Sequence, residues 1–270
     1  MMQSSTQRVA LVTGASSGVG EALAPLMAQQ GYIVYGMSRR RVDLPGVNAL
    51  PADVGDETAV KAAIQHLIQE SGRLDVVMHC AGIGGGGPVE QMPLERAKKI
   101  MDTNFWGTFI LAQASLPYLL QAPAGRLLVV GSIGGYMGIP FRSAYCASKG
   151  ALLNLIESLR LEVKGTKLEV CAVLPGDMAT NSIATQYRMP YDEVHERYRS
   201  RYKAADEGMA NNVDHGMSAS SVAEKMLRIA ELATLKPQYV IGEPMQKLSP
   251  IAKRLLPGRW WEKLLGSYYQ

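Results

Sequence analysis

The sequence predicts an α/β fold, a doubly wound parallel sheet with helices on both faces, on three observations. Short apolar runs of strand length alternate with longer stretches of helical spacing. The strand-like runs are continuously apolar instead of alternating, as in strands buried on both faces. Finally, 270 residues suffice for a large buried core, and no repeat, low-complexity tract or linker divides them. A single domain spanning residues 1–270 is expected, with a substrate-covering insertion at about 177–220 and a tail at 248–270.

The first strand is expected at Arg8–Thr13, and a helix at Gly18–Gln30 follows a turn in which Ser17 stands at the cap. Tyr32–Met37 is the second apolar run, and Asp56–Ser71, opened by Asp56 as a cap, the second helix. Leu74–His79 reads as a strand, Pro93–Leu120 as a long helical stretch, and Arg126–Gly131 as a strand. Tyr145–Val163 has helical spacing, Leu168–Leu174 is strand-like, Ser221–Leu235 is a helix capped by Ser221, and Gln238–Ile241 is the last strand.

Two segments interrupt the alternation. Asp177 to Ser220, about 40 residues, is far longer than an ordinary connection and is the natural cover for a substrate. Its Tyr187, Tyr191, Tyr198 and Tyr202, spaced by four, seven and four, are expected on one helical face, packed on their own domain or lining a pocket. From Leu248, Ile251, Leu255, Leu256, Trp260, Trp261, Leu264 and Leu265 interleave with Lys253, Arg254, Arg259 and Lys263. Such a tail can dock on a partner subunit, cap the pocket or lie on an acidic membrane surface. The Pro257-Gly258 break favours protein contacts over a long membrane-lying helix.

Composition excludes several functions. A balance of 28 Lys+Arg against 24 Asp+Glu, net +4, suggests no nucleic-acid partner. Three widely spaced cysteines without a CxxC pair, and four scattered histidines, argue against a disulfide framework or a metal site and fit a reducing cytoplasm. Before Thr13 the only apolar run is Val9–Val12, short of the roughly 7–15 residues of a secretion signal core. Thr103–Gly125 is free of charge and longer than the roughly 20 residues that cross a bilayer. Its Asn104, Gln113, Gln121 and Pro117 make it a buried helix, not a transmembrane span.

The first strand runs into Thr13-Gly14-Ala15-Ser16-Ser17-Gly18-Val19-Gly20 and then a helix, the strand–turn–helix context of a dinucleotide loop. Glycines at Gly14, Gly18 and Gly20 allow a sharp turn and close approach of backbone N–H groups to a pyrophosphate, whose charge the helix N-terminus stabilises. Ser16, Ser17 and Val19 belong to the same loop. Gly82-Ile83-Gly84-Gly85-Gly86-Gly87 also matches G-x-G-x-x-G, but Pro88 and polar residues follow it, so it reads as a flexible loop at the carboxyl edge of the sheet. After the second strand, where an acidic residue would bind an NAD ribose, stand Ser38, Arg39, Arg40 and Arg41. Guanidinium groups there favour the 2′-phosphate of NADP(H).

Tyr145 and Lys149 lie at i and i+4, on one helical face. An ammonium near a phenol lowers a pKa that is ordinarily about 10, and such a tyrosine exchanges a proton with a substrate oxygen. Together with the TGASSGVG loop, Cys80-Ala81-Gly82, Asn104, Ser132 and Pro175-Gly176 followed by Thr180, this resembles the short-chain dehydrogenase/reductase family, over about Arg8 to Thr180 and more loosely to Ile241. The resemblance implies a Rossmann fold and a set of roles. Tyr145 is the expected general acid/base, Lys149 the group that lowers its pKa and binds the nicotinamide ribose, Ser132 the hydroxyl that polarises the substrate oxygen, and Asn104 the holder of a relay water in a kinked helix. Asp53 and Val54 are the expected adenine contact; Pro175, Gly176, Met178 and Thr180 would close over the nicotinamide. One departure is Cys80, where the family usually has asparagine, which puts local rigidity in doubt.

The reading is an NADP(H)-dependent oxidoreductase of a ketone or aldehyde and its alcohol, on a bulky apolar small molecule suggested by Met178, Ile183, Met189 and the four tyrosines. The alternatives are a non-catalytic NADP-binding sensor or scaffold, and an epimerase or dehydratase. Family likeness and the charge-free Thr103–Gly125 region also predict a homodimer or homotetramer.

Overall fold

The computed structural model describes residues 7–179, 186–214 and 216–268. The chain opens with β1 (Val9–Thr13), α1 (Gly18–Gln29), β2 (Ile33–Ser38), β3 (Val47–Pro51), α2 (Glu57–Ser71) and β4 (Val76–His79). It continues with a two-residue β5 (Gly85–Gly86), α3 (Leu94–Met101), a π-helical turn at Asp102–Trp106, α4 (Gly107–Leu119), β6 (Arg126–Val130), α5 (Ser143–Glu162) and β7 (Glu169–Pro175). Then come β8 (Met178–Ala179), β9 (Tyr187–Arg188), α6 (Glu196–Asp214), β10 (Met217–Ser218), α7 (Ala219–Ala230), β11 (Gln238–Ile241), α8 (Pro244–Leu255) and α9 (Gly258–Tyr268).

Seven parallel strands form one sheet in the order β11-β7-β6-β4-β1-β2-β3. Strand order reverses between β1 and β4, and this switch opens a crevice beyond their carboxyl ends. Period-two geometry sends Val9 and Leu11 of β1 to one face, against Ile64 and Leu67 of α2, Leu111 of α4 and Ile156 of α5. Ala10 and Val12 point to the other face, against Leu23 and Met27 of α1 and Val222 and Met226 of α7. Because both faces are covered, the central strands are buried throughout, which is why they read as continuous apolar runs.

The predicted strands and helices are present to within a few residues, with informative exceptions. β3 was not expected: it is a half-exposed edge strand whose sequence, VNALP, lacks a long apolar run. Pro93–Leu120 is continuous, but shifts register through the π turn at Asp102–Trp106. Asp56 caps α2 by accepting from Ala59 N at 3.0 Å, whereas α7 is capped by Ser218, which accepts from Ser221 N. Ser17 occupies the N-cap position of α1 in extended conformation without a side-chain cap bond. Gly85–Gly86 is not a loop, since it pairs in parallel with β9. Among the described residues no helix is long and apolar enough to cross a membrane.

Candidate active site

The crevice is a cavity of about 710 Å³ bounded by the β1–α1 turn, the loop after β4, the end of β6, α5 and the two tail helices. In the turn, Gly14 (φ 68°) and Gly18 (φ 59°) adopt left-handed backbone. A Cβ on Gly14 would lie 2.8 Å from Ala81 N, and one on Gly20 would lie 2.5 Å from Gly14 O. The missing side chains therefore let β1, the loop after β4 and α1 close on one another. Gly14, Ser17, Gly18 and Val19 face the cavity at the N-terminus of α1, a geometry that suits an anionic pyrophosphate. These features fit a nicotinamide dinucleotide.

The remaining residues expected at the cofactor extend beyond this cavity. Arg39, Arg40 and Arg41 are exposed just past β2, with no carboxylate paired to them among the described residues, and the Ser38 hydroxyl donates to Arg40 O. Asp53 accepts from Gly55 N at 3.0 Å and pairs with Lys99 at 3.5 Å, while Val54 is buried against Gly107. Cys80, Ala81, Gly82, Gly176 and Met178 line the cavity. Pro175 ends β7, beside Ile241. Ser16, in the turn, and Gly20, in the first turn of α1, stand outside the lining. Thr180 and Ile183 lie outside the described residues.

Ser132 sits in extended backbone after β6, where its Oγ accepts from Gly134 N at 3.1 Å. Tyr145 and Lys149 project from the first turns of α5 into the same cavity. Burial pushes the Tyr145 phenol up from its ordinary value; the Ser132 hydroxyl and the Arg142 guanidinium pull it down. Lys149 donates to Val130 O at 2.8 Å, and burial lowers it to about 8. The lowering of the phenol expected from Lys149 is not found: the groups that pull it down are Ser132 and Arg142, and desolvation outweighs both. Asn104 lies behind them, fully buried in the π turn: its Oδ1 accepts from Ile83 N at 2.8 Å and its Nδ2 donates to Ile83 O and Ser148 Oγ, both at 2.9 Å. A Cβ on Gly82 would lie 3.3 Å from Asn104 Oδ1 and 3.4 Å from Lys149 Nζ, so glycine is what allows those two groups to flank one loop.

The loop bearing Cys80 is held by other means than an asparagine. Thr13 Oγ1 accepts from Ala81 N at 3.2 Å and hydrogen-bonds His79 Nδ1 at 2.7 Å. Burial raises the Cys80 thiol to about 12 against the pull of Lys149, so the thiol stays protonated and unreactive.

Several cavity residues escaped the sequence reading. Arg142, buried at the N-terminus of α5, pairs with Asp206 of α6 at 3.1 Å and donates to Gln186 Oε1 at 3.2 Å. Its position three residues before Tyr145 was a usable signal, but its partner is 64 residues away in sequence. The tyrosine face does not form: Tyr187 lies in β9, Tyr191 in a turn, and only Tyr198 and Tyr202 in α6. With Phe141, Met189 and Val194 they form a small core of the cover, and none of the four lines the cavity. Its apolar wall is instead supplied by Met137, Ile139, Met178 and Met209 together with the tail. There α8 is seated by Gln246, whose Nε2 donates to Asp177 Oδ2 at 2.8 Å and whose Oε1 accepts from Glu243 N at 3.1 Å. Of the three fates open to the tail, capping the pocket is the one observed.

A family model described as short chain dehydrogenase matches residues 8–190. The 3-ketodihydrosphingosine reductase of Bacteroides thetaiotaomicron is 32% identical over 97% of this chain and 98% of its own length. A short-chain dehydrogenase from Streptomyces avermitilis superposes with a TM-score of 0.81 at 26% identity, covering 97% of this chain and 98% of its own. An actinorhodin polyketide ketoreductase solved with NADPH gives 0.72 at 25% identity, over 87% and 95%. With the glycine turn, the π-helical asparagine and the Ser132–Tyr145–Lys149 cluster on one crevice, these matches identify the chain as a member of the short-chain dehydrogenase family.

Proposed function

We propose that the protein is an NADP(H)-dependent oxidoreductase that interconverts a ketone or aldehyde with an alcohol on a bulky, largely apolar substrate. The observation that carries this reading is the convergence of Ser132, Tyr145 and Lys149 on the same cavity that the glycine turn lines. A nicotinamide held there supplies or accepts hydride. Tyr145 gives its proton to the substrate oxygen, or takes it in the reverse direction, and Ser132 stabilises the charge that develops on that oxygen. Lys149 holds positive charge beside the site and the ribose, and Asn104 keeps the loop at Ile83 and a relay water in place. Gly14, Ser16, Ser17, Gly18, Val19 and Gly20 would receive the pyrophosphate; Asp53 and Val54 the adenine; Cys80, Ala81, Gly82, Pro175, Gly176, Met178 and Thr180 the nicotinamide half.

Selection of NADP(H) rests on Ser38, Arg39 and Arg40 at the end of β2, whose exposed guanidiniums suit a 2′-phosphate. The ketoreductase neighbour solved with NADPH supports the same choice. The reading extends to a cytoplasmic homodimer or homotetramer, for which the exposed Trp106 of the π turn, Phe109 of α4 and Leu120 just past it supply an apolar contact face.

Fluorescence titration with NADPH and NADH tests it. Wild type is expected to prefer NADPH strongly, and Arg39→Ala/Arg40→Ala to lose that preference. Tyr145→Phe is expected to bind NADPH unchanged while carbonyl reduction falls by about 10²–10⁴. Equal affinity for the two cofactors would refute the arginine argument, and binding of neither would overturn the enzyme reading.

A further inference from the structure

The tail helices do more than close the cavity. Seven of the fourteen exposed large apolar side chains among the described residues lie between Met245 and Leu264. Ile251, Leu255 and Trp260 are 56%, 74% and 69% exposed and stand outside the cavity lining. Met245, Leu248 and Leu264 belong to both surfaces, lining the cavity and reaching solvent at 76%, 55% and 49%. Apolar side chains thus occupy the cavity, its rim and the outside of α8 and α9. Exposed apolar patches of this kind mark interaction sites.

Charge identifies the partner. Residues 244–268 hold five Lys/Arg (Lys247, Lys253, Arg254, Arg259, Lys263) against Glu262 alone, and the rest of the chain is balanced at 23 against 23, so the tail accounts for the whole net charge of +4. Lys247, Arg254, Arg259 and Lys263 are exposed and have no carboxylate partner among the described residues. A twofold contact through this face would set two unpaired basic clusters against each other, which disfavours a second copy of the chain as its occupant. Helices of 12 and 11 residues are too short to span a bilayer but long enough to lie on one. The Pro257-Gly258 break, which counted against a membrane role while one long helix was in view, lets two short helices present their apolar and basic residues together.

We propose that the outer face of α8 and α9 docks on an anionic lipid bilayer, and that the cavity behind it takes a long-chain carbonyl or alcohol amphiphile from that bilayer. Long-chain substrate would move across the rim formed by Met245, Leu248 and Leu264 without exposing its chain to water. The substrate class rests on the oxidoreductase reading above; the docking surface does not.

Co-sedimentation of the full chain with phosphatidylcholine vesicles, with and without phosphatidylglycerol, tests the surface. Binding is expected only to the anionic vesicles and is expected to weaken with salt. Arg254→Glu/Arg259→Glu/Lys263→Glu should lower partitioning about a hundredfold or more, and Ile251→Ser/Leu255→Ser/Trp260→Ser should abolish it. NADPH titration of each variant monitors integrity of the fold, and a variant that no longer binds cofactor is replaced by its single substitutions. Failure of wild type to bind anionic vesicles would overturn the proposal. So would a concentration-dependent oligomer that the serine triple variant dissolves in the absence of lipid. A long-chain methyl ketone carried in the vesicles and cyclohexanone in solution separate the two readings. Docking with delivery predicts that the serine variant loses reduction of the vesicle-borne ketone and keeps that of cyclohexanone; equal loss or none overturns delivery. Vesicle binding without NADPH binding or reduction of either ketone would overturn the oxidoreductase reading and the substrate class, and leave the docking surface standing.

Discussion

His79 is a buried imidazole with one partner. Its Nδ1 faces Thr13 Oγ1, and its Nε2 is fully buried without one among the described residues. Protonation would require two acceptors in a place that offers at most one, beside the Lys149 ammonium, and burial with that neighbour lowers the imidazole from 6.5 to about 3. The unfolded chain then binds a proton near pH 6.5 that the folded chain refuses until about pH 3. This contribution to stability is complete above pH 6.5 and is lost as the pH falls from there toward 3, up to about 5 kcal/mol at about 1.4 kcal/mol per pH unit. Urea unfolding of His79→Leu and wild type checks this: the advantage of wild type should shrink, or reverse, across that interval. A constant difference would show that His79 titrates alike in the folded and unfolded chain, and would refute the shift. At this scale the sequence was most readable for Tyr145 and Lys149, whose i, i+4 spacing brings them to one face. It was least readable for Arg142, whose partners are distant in the chain.

Helix α6 and strand β9 are tied to α5 by one carboxylate. Asp206, 4% exposed, accepts from Arg142 at 3.1 Å and from Tyr191 at 3.0 Å and stands 3.5 Å from Arg188. Removing it by Asp206→Ala leaves a buried guanidinium unpaired beside a second cation, and breaking such pairs costs about 3–5 kcal/mol. Asp206→Asn retains hydrogen-bonding capacity and should lose less, and chemical denaturation of the two variants gives the comparison. The tyrosine spacing of the cover misled at this scale because the four residues are divided among a strand, a turn and a helix, and Pro190 stands between the first two. Periodicity identifies a helix only where the chain is helical throughout the window. β3 was missed for the converse reason, since an edge strand needs only one buried face and leaves a weak apolar signal.

Across the whole molecule, the charge-free Thr103–Gly125 stretch is explained by its two sides. Thr108, Leu111, Ala112, Ser115 and Leu119 pack inward, while Trp106, Phe109 and Leu120 remain 49%, 40% and 41% exposed, with the Trp106 and Phe109 rings edge to face at 6.0 Å. This outer face is the contact invoked for the proposed oligomer. Light scattering at micromolar protein should give a dimer or tetramer, and Trp106→Glu/Phe109→Glu should give a monomer; a monomeric wild type would refute the assembly. The doubly wound class and the central strands were legible from alternation, because burial on both faces writes itself into composition; the strand order, and with it the switch point, was not, because it depends on pairings between strands distant in the chain. The tail was legible only as a set of options, since its place depends on a socket made by distant residues. That socket is formed where β7 and β11 end: a Cβ on Gly176 would lie 2.0 Å from Gln246 Oε1, and one on Gly242 2.5 Å from the same atom. Two positions four residues apart and a third far earlier in the chain therefore share one small volume. In a combinatorial library they should behave as a single inherited unit, with larger residues at 176 or 242 tolerated only alongside a smaller one at 246, and with the effects of paired changes departing from the sum of the singles.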